Sequence, residues 1–333
     1  MTNVRVKYIL TYWDTEITSA DKIYARKEHI MYYYKLYGFY IATDVKFEQL
    51  IEEDFSEACD KNVITIAEGD FPDQYRQMEP GYDFLDGKSA VLSNSCCYMY
   101  FRNNSSIVYE KKKKAEQNLL KSYILGWGMS IIGIMRGLLS IHCAALADND
   151  GAILISGSSG SGKSTITTQL LNRGYRLVAD DMALVDAISD EKPYAFPAFP
   201  YNKLCRDAAL SQGYDIDELI YIDEDRDKYF VPCKDNFSTE KVPIKSIIML
   251  TLNDKENVFK EEFTGVKKMY ACMDTLFLNG IHKDKKCGYA VGNMCLKLAS
   301  KTPVNHVSRP YGKDTTKEVL QAIMDFVNLK ENE

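Results

Sequence analysis

The stretch from Gly151 to Asp181 constrains the fold of this 333-residue chain more than any other. Ala152 to Ser156 is a short apolar run, typical of a buried strand. The residues that follow, GSSGSGKS, fit the phosphate-binding pattern G-x-x-x-x-G-K-[ST] at every defined position. With a strand before it and a helix after it, this pattern predicts a loop whose N–H groups and helix dipole point at one anion.

We assign nucleotide binding to this loop and to the residue after it. The residues concerned are Gly157, Ser158, Ser159, Gly160, Ser161, Gly162, Lys163, Ser164 and Thr165. Lys163 is expected to reach the β- and γ-phosphates of the nucleotide, and the Ser164 hydroxyl to hold Mg²⁺.

Two adjacent carboxylates, Asp180 and Asp181, end the strand predicted at Tyr175 to Ala179. In α/β sheets the ligand lies beyond the carboxyl ends of the strands, so both should face the nucleotide phosphates. Read alone, such a pair is more often a turn or a helix cap. Beside a phosphate loop, a functional role is favoured.

Composition excludes several classes of protein. A hydrophobic content of 46% and a charged content of 26% are those of an ordinary globular chain, and the length suits two domains or one domain with an appendage. A formal charge of −6 gives no basic footprint for nucleic acid.

The sequence also predicts a cytoplasmic protein without a membrane segment. Its nine cysteines are scattered, with no C-x-x-C pair, which favours reduced thiols. The first residues lack a signal-peptide core. The most apolar segment, Tyr123 to Leu139, is interrupted by Arg136 and by glycines, so we expect a buried helix there.

The order of the chain predicts a β-rich lobe over residues 1–115 and a domain that contains the phosphate loop over 116–333. Short β-branched or aromatic runs mark strands in the lobe, at Val4–Trp13, Phe39–Asp44, Val63–Ala67, Ala90–Tyr100 and Ser106–Tyr109, the last two forming a hairpin around Asn103-Asn104. Lys22–Leu36 fits a helix or a strand pair, Phe71–Gly87 a loop, and the lysine run at 111–114 a helix start or a strand edge.

The expectations for the second part are coarser. Residues 115–139, 270–280, 290–302 and 315–329 fit helices, whereas 141–147, 182–187, 245–252 and 304–307 fit strands. Residues 196–204 fit a connector, 207–219 a weakly helical segment, and 220–231 an alternating one.

Taken with His142, these features resemble the HPr kinase/phosphorylase family, in particular HPr-kinase-related proteins with a phosphoenolpyruvate-carboxykinase-like fold. The resemblance rests on HCAALADNDGAILISG, on GSSGSGKS and on NRGYRLVADD, where the family shows R-G-H-x-L-x-A-D-D. Weaker similarity continues through FPAFPYNKL, DRDKYFVP and KVPIKSIIML. It implies an α/β (α+β) fold, with a phosphate-loop core around a mixed sheet and a β-rich N-terminal lobe.

The resemblance implies an ATP- and Mg²⁺-dependent kinase that phosphorylates a serine or threonine of a peptide or small protein, such as a ribosomally made peptide. Asp181 matches the proton acceptor of the family, and Asp180 with Ser164 would hold Mg²⁺. Lys163 would neutralise charge on the transferred group. A lone histidine is more often structural than catalytic, so the proposed role of His142, holding the aspartate or the phosphate, comes from the resemblance.

The sequence also departs from the family. The position of the family's glutamate ligand for Mg²⁺ falls at Lys203 to Arg206, with no acidic residue before Asp207. This disfavours the phosphorylase reaction and HPr as the substrate. Lys203, Arg226 and Lys228 fit phosphate contacts or surface salt bridges equally well.

Other functions stay open at this point. They are a kinase for a small-molecule hydroxyl and an ATP-binding protein that regulates assembly without catalysis. A carboxykinase is disfavoured because the extra metal and carboxylate ligands are missing. No nucleic-acid or membrane partner is expected, and a homo-oligomer is left open.

Overall fold

The computed structural model describes residues 31–54, 62–113, 115–189, 191–222 and 227–328. The strand predicted at Val4–Trp13, most of Lys22–Leu36, and Lys114 and Arg226 lie outside the described residues. Within them, the strands form sheets of eight, nine and three strands. The predicted mixed α+β fold with a β-rich N-terminal part is confirmed.

The first sheet is built from the N-terminal strands. They are β1 (Tyr32–Leu36), β2 (Phe39–Thr43), β3 (Ile51–Glu52), β4 (Val63–Glu68), β5 (Gly81–Phe84), β6 (Ser89–Ser93), β7 (Cys97–Arg102) and β8 (Ser106–Lys111). Their order across the sheet is β3-β1-β2-β4-β8-β7-β6-β5. For residues 32–36, the strand alternative is therefore correct.

Two expectations for this sheet are wrong in detail. Residues 90–100 form parts of two strands, because the Asn94 side chain accepts hydrogen bonds from the N–H groups of Cys96 and Cys97, both at 2.8 Å, and closes a turn. Residues 71–87 contain β5, which pairs with β6. The hairpin at Asn103-Asn104 is confirmed, with φ of 51° and 57°.

The predicted helix at 115–139 is correct except at its end. Helices α1 (Gln117–Tyr123) and α2 (Met129–Met135) are joined by a π-helical turn. The helix stops because Gly137 takes a φ of 77° and the Leu138 N–H bonds back to the Gly133 carbonyl. None of the described helices is long and apolar enough to cross a membrane.

Twelve further strands and five helices complete the described chain. The strands are β9 (Leu139–Ile141), β10 (Cys143–Ala147), β11 (Ala152–Gly157), β12 (Arg176–Ala179), β13 (Ala183–Asp186), β14 (Tyr194–Ala195), β15 (Tyr201–Cys205), β16 (Ile220–Ile222), β17 (Lys228–Pro232), β18 (Val242–Asn253), β19 (Phe259–Glu262) and β20 (Val304–Pro310). The helices are α3 (Lys163–Leu171), α4 (Arg206–Ser211), α5 (Gly265–Asp274), α6 (Gly288–Lys301) and α7 (Thr316–Asn328).

The nine-stranded sheet carries the phosphate loop. Its main order is β12-β10-β11-β18-β14-β13-β9, and β18 also pairs with β20, which pairs with β19. Strand β18 runs parallel to both β11 and β20. Alternate residues of β11 enter two different cores, Leu154 on one face and Ile153 and Ile155 on the other, so this strand is buried on both faces.

Several predictions in the second part need correction. Part of the expected connector at 196–204 is β15, because it pairs with β17 in a third sheet. The segment at 220–231, described from the sequence only as alternating, contributes β16 and β17 to the same sheet, and alternation is typical of strands. The helix expected at 270–280 ends at Asp274, since Ile141 bridges Leu276 and the Phe277 N–H bonds to the Ser140 carbonyl.

One hydrophobic core extends across the proposed boundary at residue 115. It includes Tyr34 and Met99 from the first sheet together with Ile132, Leu154 and Leu298. The two sheets are therefore packed through shared side chains. The division into units 1–115 and 116–333 stays a prediction.

Gly157, where β11 becomes the phosphate loop, has no room for a side chain. A Cβ there would collide with the Leu250 carbonyl oxygen of β18 and lie 2.7 Å from Ser161 Oγ. The loop can leave the sheet this closely only with glycine at this position.

We expect Gly157→Ala to lower the free energy of unfolding by about 1–3 kcal/mol, because the neighbouring backbone must shift to admit the methyl group. Urea denaturation measures this change. Gly87→Ala is the control, since a Cβ at Gly87 meets nothing within 4 Å. Equal unfolding midpoints for the two variants would contradict the steric explanation.

Candidate active site

The phosphate loop, Gly157 to Ser164, connects β11 to α3. Gly160 and Gly162 have φ of 81° and 102°, a region that favours glycine. Ser158, Ser159, Ser164 and Thr165 are exposed, so the loop and the N-terminus of α3 are open to a ligand. Ser161 is buried, and its Oγ has no hydrogen-bond partner among the described residues.

The Lys163 side chain folds back over the phosphate loop. Its Nζ donates to the Gly157 carbonyl and lies 3.3 Å from His142 Nε2. Burial lowers the pKa of Lys163, although the nearby carboxylates of Asp181 and Asp180 oppose this effect. A phosphate group offers this ammonium a stronger partner than a carbonyl does.

His142 lies between β9 and β10 and is held by its backbone. Its N–H donates to the Thr275 carbonyl at 2.7 Å, and its carbonyl accepts from Ser156 Oγ at 2.8 Å. The Nδ1 atom lies 2.9 Å from the Asp181 carbonyl oxygen. A carbonyl only accepts, so Nδ1 carries the proton and Nε2 is left to accept from Lys163.

The residues Asp180 to Met182 form a tight connection between β12 and β13, which we call the acidic turn. Asp181 has a φ of 70°, in the left-handed region that residues other than glycine rarely adopt. Its Oδ2 accepts from Lys203 Nζ at 3.0 Å, and its Oδ1 lies 3.8 Å from His142 Nδ1. Asp180 Oδ2 accepts from the Lys203 N–H at 2.7 Å.

The two carboxylates have opposite electrostatic environments. Burial raises the pKa of Asp180 to about 6, and the neighbouring Asp181 adds to the effect. Burial alone would also raise the pKa of Asp181. There, Lys203, His142 and Lys228 outweigh it and hold the pKa well below its usual range. Asp181 is therefore ionised at neutral pH.

The donor set suits a magnesium ion that is shared with phosphates. No group of three or more His, Cys, Asp or Glu side chains in the described part of the chain could hold a metal alone. Mg²⁺ is usually held by one or two carboxylates together with substrate phosphates and water. The Ser164 hydroxyl and the Asp180 carboxylate fit that kind of site.

The structure brings most of the residues predicted from the sequence to one place. Lys163 contacts His142, and His142 contacts the acidic turn. Lys203 is also here, but it pairs with Asp181 through its side chain and with Asp180 through its N–H. The charge of Lys228 acts on Asp181, whereas Arg226 lies outside the described residues.

Arg309, at the end of β20, is a residue that the sequence reasoning missed. Its Nε donates to the Ser161 carbonyl at 2.9 Å and its Nη2 to the Gly160 carbonyl at 3.2 Å. It therefore supports the phosphate loop through two of the loop's own carbonyls. The strand predicted at 304–307 ends two residues before Arg309. A prediction that extended this strand to Pro310 would have placed Arg309 at its carboxyl end, near the phosphate loop.

Comparisons with known proteins match the segment of the chain that carries this site. The family model described as HPr Serine kinase C-terminal domain matches residues 138–197, which include His142, the phosphate loop and the acidic turn. This part of the chain is HPr-kinase-like. An HPr kinase/phosphorylase of Lachnoclostridium phytofermentans is 42% identical over 53 residues, which is 16% of this chain and 17% of that protein.

A solved structure, the Hpr(Ser) kinase/phosphatase from Coxiella burnetii, aligns with 58% of this chain and 99% of its own chain. The TM-score is 0.31 and the identity 14%, values too low to assign a fold. The sequence relationship therefore rests on the segment around the phosphate loop, which spans about a sixth of the curated relative.

We expect His142 to titrate below its ordinary pKa of about 6.5, because it is buried beside the Lys163 ammonium. Asp181→Asn should lower this pKa further, since the Asp181 carboxylate favours the imidazolium. Lys163→Met should raise it by removing a like charge. NMR titration of the imidazole protons measures all three proteins, with the histidine signals assigned through His142→Gln. Shifts of the opposite sign would contradict the contacts described.

Proposed function

We propose that this protein is an ATP- and Mg²⁺-dependent kinase that transfers the γ-phosphoryl group to a serine or threonine hydroxyl of a peptide or small protein. The observation that supports it best is the run of contacts Lys163–His142–Asp181, which joins a phosphate loop to an ionised carboxylate. Nucleotide binding alone needs the phosphate loop with Lys163. Phosphoryl transfer also needs a group such as the Asp181 carboxylate, which orients the acceptor hydroxyl.

Each residue has a role in the proposed transfer. The N–H groups of the phosphate loop and the α3 dipole bind the phosphates, and Lys163 neutralises charge that develops on the transferred group. Asp181 orients the acceptor hydroxyl and takes its proton. The low pKa of Asp181 makes it a weak base, which suits a loose transition state in which the proton leaves late.

His142 and Lys203 keep the carboxylate in place. His142 donates to the Asp181 backbone and Lys203 to the Asp181 side chain, so the two control the turn and the carboxylate separately. When bound, Mg²⁺ would offset negative charge on the phosphates, held by Asp180 and Ser164.

The nature of the acceptor rests on the family relationship. The relatives named above are HPr kinases, which suggests a serine on a polypeptide. The region where the family carries a further acidic ligand, Lys203 to Arg206, has no acidic residue here. We therefore propose the kinase reaction without the phosphorylase reaction. A cytoplasmic location and the division into units 1–115 and 116–333 belong to the same proposal.

We expect Asp181→Asn to lower the rate of phosphoryl transfer by about 10²- to 10⁴-fold, because a positioned proton acceptor is lost. The affinity for MgATP should stay within a few-fold, since the phosphate loop is intact. The assay uses γ-labelled ATP with peptides encoded next to the gene of this protein, and mass spectrometry locates the phosphate.

Asp150→Asn is the matched control for charge, because Asp150 is exposed on the turn at the opposite end of β11 from the loop. It should leave the rate unchanged. If Asp181→Asn transfers phosphate at the wild-type rate, Asp181 is not the group that takes the proton of the acceptor hydroxyl. Tight MgATP binding without transfer to any peptide, small hydroxyl compound or water would favour the assembly protein instead.

A further inference from the structure

The hairpin between β1 and β2 has an unusual tip. Tyr37 and Gly38 form its two-residue turn, with φ of 53° and 75°. Such turns require positive φ at both positions and normally carry Asn, Asp or Gly, because a bulky side chain there is strained. Tyr37 is also only 3% exposed, although hairpin tips usually face solvent.

This tip reaches the acidic turn of the second sheet. The Tyr37 hydroxyl donates to the Met182 carbonyl at 3.0 Å, and the Tyr37 N–H donates to the Pro197 carbonyl at 2.8 Å. A Cβ at Gly38 would lie 3.1 Å from the Phe196 ring, so the hairpin backbone packs directly on this segment.

The segment under the tip is itself tied to both strands beside the acidic turn. The Phe196 N–H donates to the Leu184 carbonyl after the turn, at 3.0 Å. The Ala198 N–H donates to the Val178 carbonyl before the turn, at 2.8 Å. The acidic turn is therefore contacted by Tyr37 directly and is flanked by the segment 196–198 on both of its strands.

Two consecutive carbonyls of the turn have partners from different parts of the chain. His142 donates to the carbonyl of Asp181, and Tyr37 donates to that of Met182. Together they fix the peptide planes on the C-terminal side of Asp181, whose φ of 70° is strained, although aspartate tolerates this region better than most residues other than glycine. Burial, with the charge of Asp181 nearby, raises the pKa of Tyr37, so its hydroxyl keeps its proton.

We propose that Tyr37 is a positioning residue for Asp181, through which the N-terminal sheet holds the acidic turn in its left-handed conformation. This inference rests on the proposed kinase function for its effect on rate. It gives the first sheet, which lies outside the family match at residues 138–197, a part in the chemistry.

The test compares two tyrosine hydroxyls of the same hairpin. Tyr37→Phe removes the contact to Met182. Tyr34→Phe is the matched control, because Tyr34 is fully buried in β1 and its hydroxyl accepts from the Phe47 N–H at 2.9 Å, within the first sheet. Both variants lose one buried hydrogen bond, so a purely structural effect should be similar in the two.

The first measurement is backbone hydrogen exchange of peptides that cover residues 180–184, in the full chain without nucleotide. We expect faster exchange in Tyr37→Phe than in wild type or Tyr34→Phe. The second is phosphate release from MgATP, with water or the peptide as acceptor. We expect about a 10- to 100-fold lower rate constant at saturation in Tyr37→Phe, with MgATP affinity within about twofold, because the carboxylate is displaced and the phosphate loop is not.

The outcomes separate this inference from the proposed function. Unchanged exchange at residues 180–184 in Tyr37→Phe, or equal changes in both variants, would overturn the role of Tyr37. If Tyr37→Phe exchanges faster at residues 180–184 but transfers phosphate at the wild-type rate, Tyr37 is not a positioning residue for Asp181. If wild type transfers no phosphoryl group at all, the kinase proposal fails, whereas faster exchange in Tyr37→Phe alone would still support its hold on the turn.

Discussion

Asp181 adopts a left-handed backbone conformation, and the rest of the site is arranged to hold it there. A residue of this type in that region costs about 1–3 kcal/mol, so it persists only where its surroundings impose it. Here His142 binds its carbonyl, Lys203 binds its carboxylate and Tyr37 binds the next carbonyl. These three partners come from three different parts of the chain.

The strand order explains why the acidic turn and the phosphate loop meet. Strand β10 lies between β11 and β12 and is antiparallel to both, so the carboxyl ends of β11 and β12 share one edge of the sheet with His142. The imidazole then spans the gap, with its protonated nitrogen toward the turn and its free nitrogen toward Lys163. A neutral histidine suits this position because the lysine beside it is already charged.

The parts of the site that are local in sequence could be predicted from the sequence. The phosphate loop needs a short strand, particular glycines and a following helix, and all of these signals lie within Gly151 to Asp181. Contacts between distant segments carry no such signal. Tyr37 and Met182 are 145 positions apart, and Arg309 reaches the loop only because β20 runs parallel to β18.

The same distinction explains the errors in the predicted fold. Residues 196–204 contain prolines and resemble a connector, yet Tyr201–Cys205 becomes a strand because β17 offers it a pairing edge. The segment after Asp274 leaves its helix because β9 draws Leu276 and Phe277 into backbone contacts. In both cases tertiary pairing outweighs local preference.

We propose that the phosphate loop and the acidic turn act on the same phosphoryl group. The most direct measurement is a crystal structure of the protein with Mg²⁺ and a non-hydrolysable ATP analogue. We predict the γ-phosphate between Lys163 and Asp181, with Asp180 beside the metal and the Asp181 carboxylate facing the open side of the phosphate. A nucleotide whose γ-phosphate points away from the acidic turn would contradict a shared role of the loop and the turn.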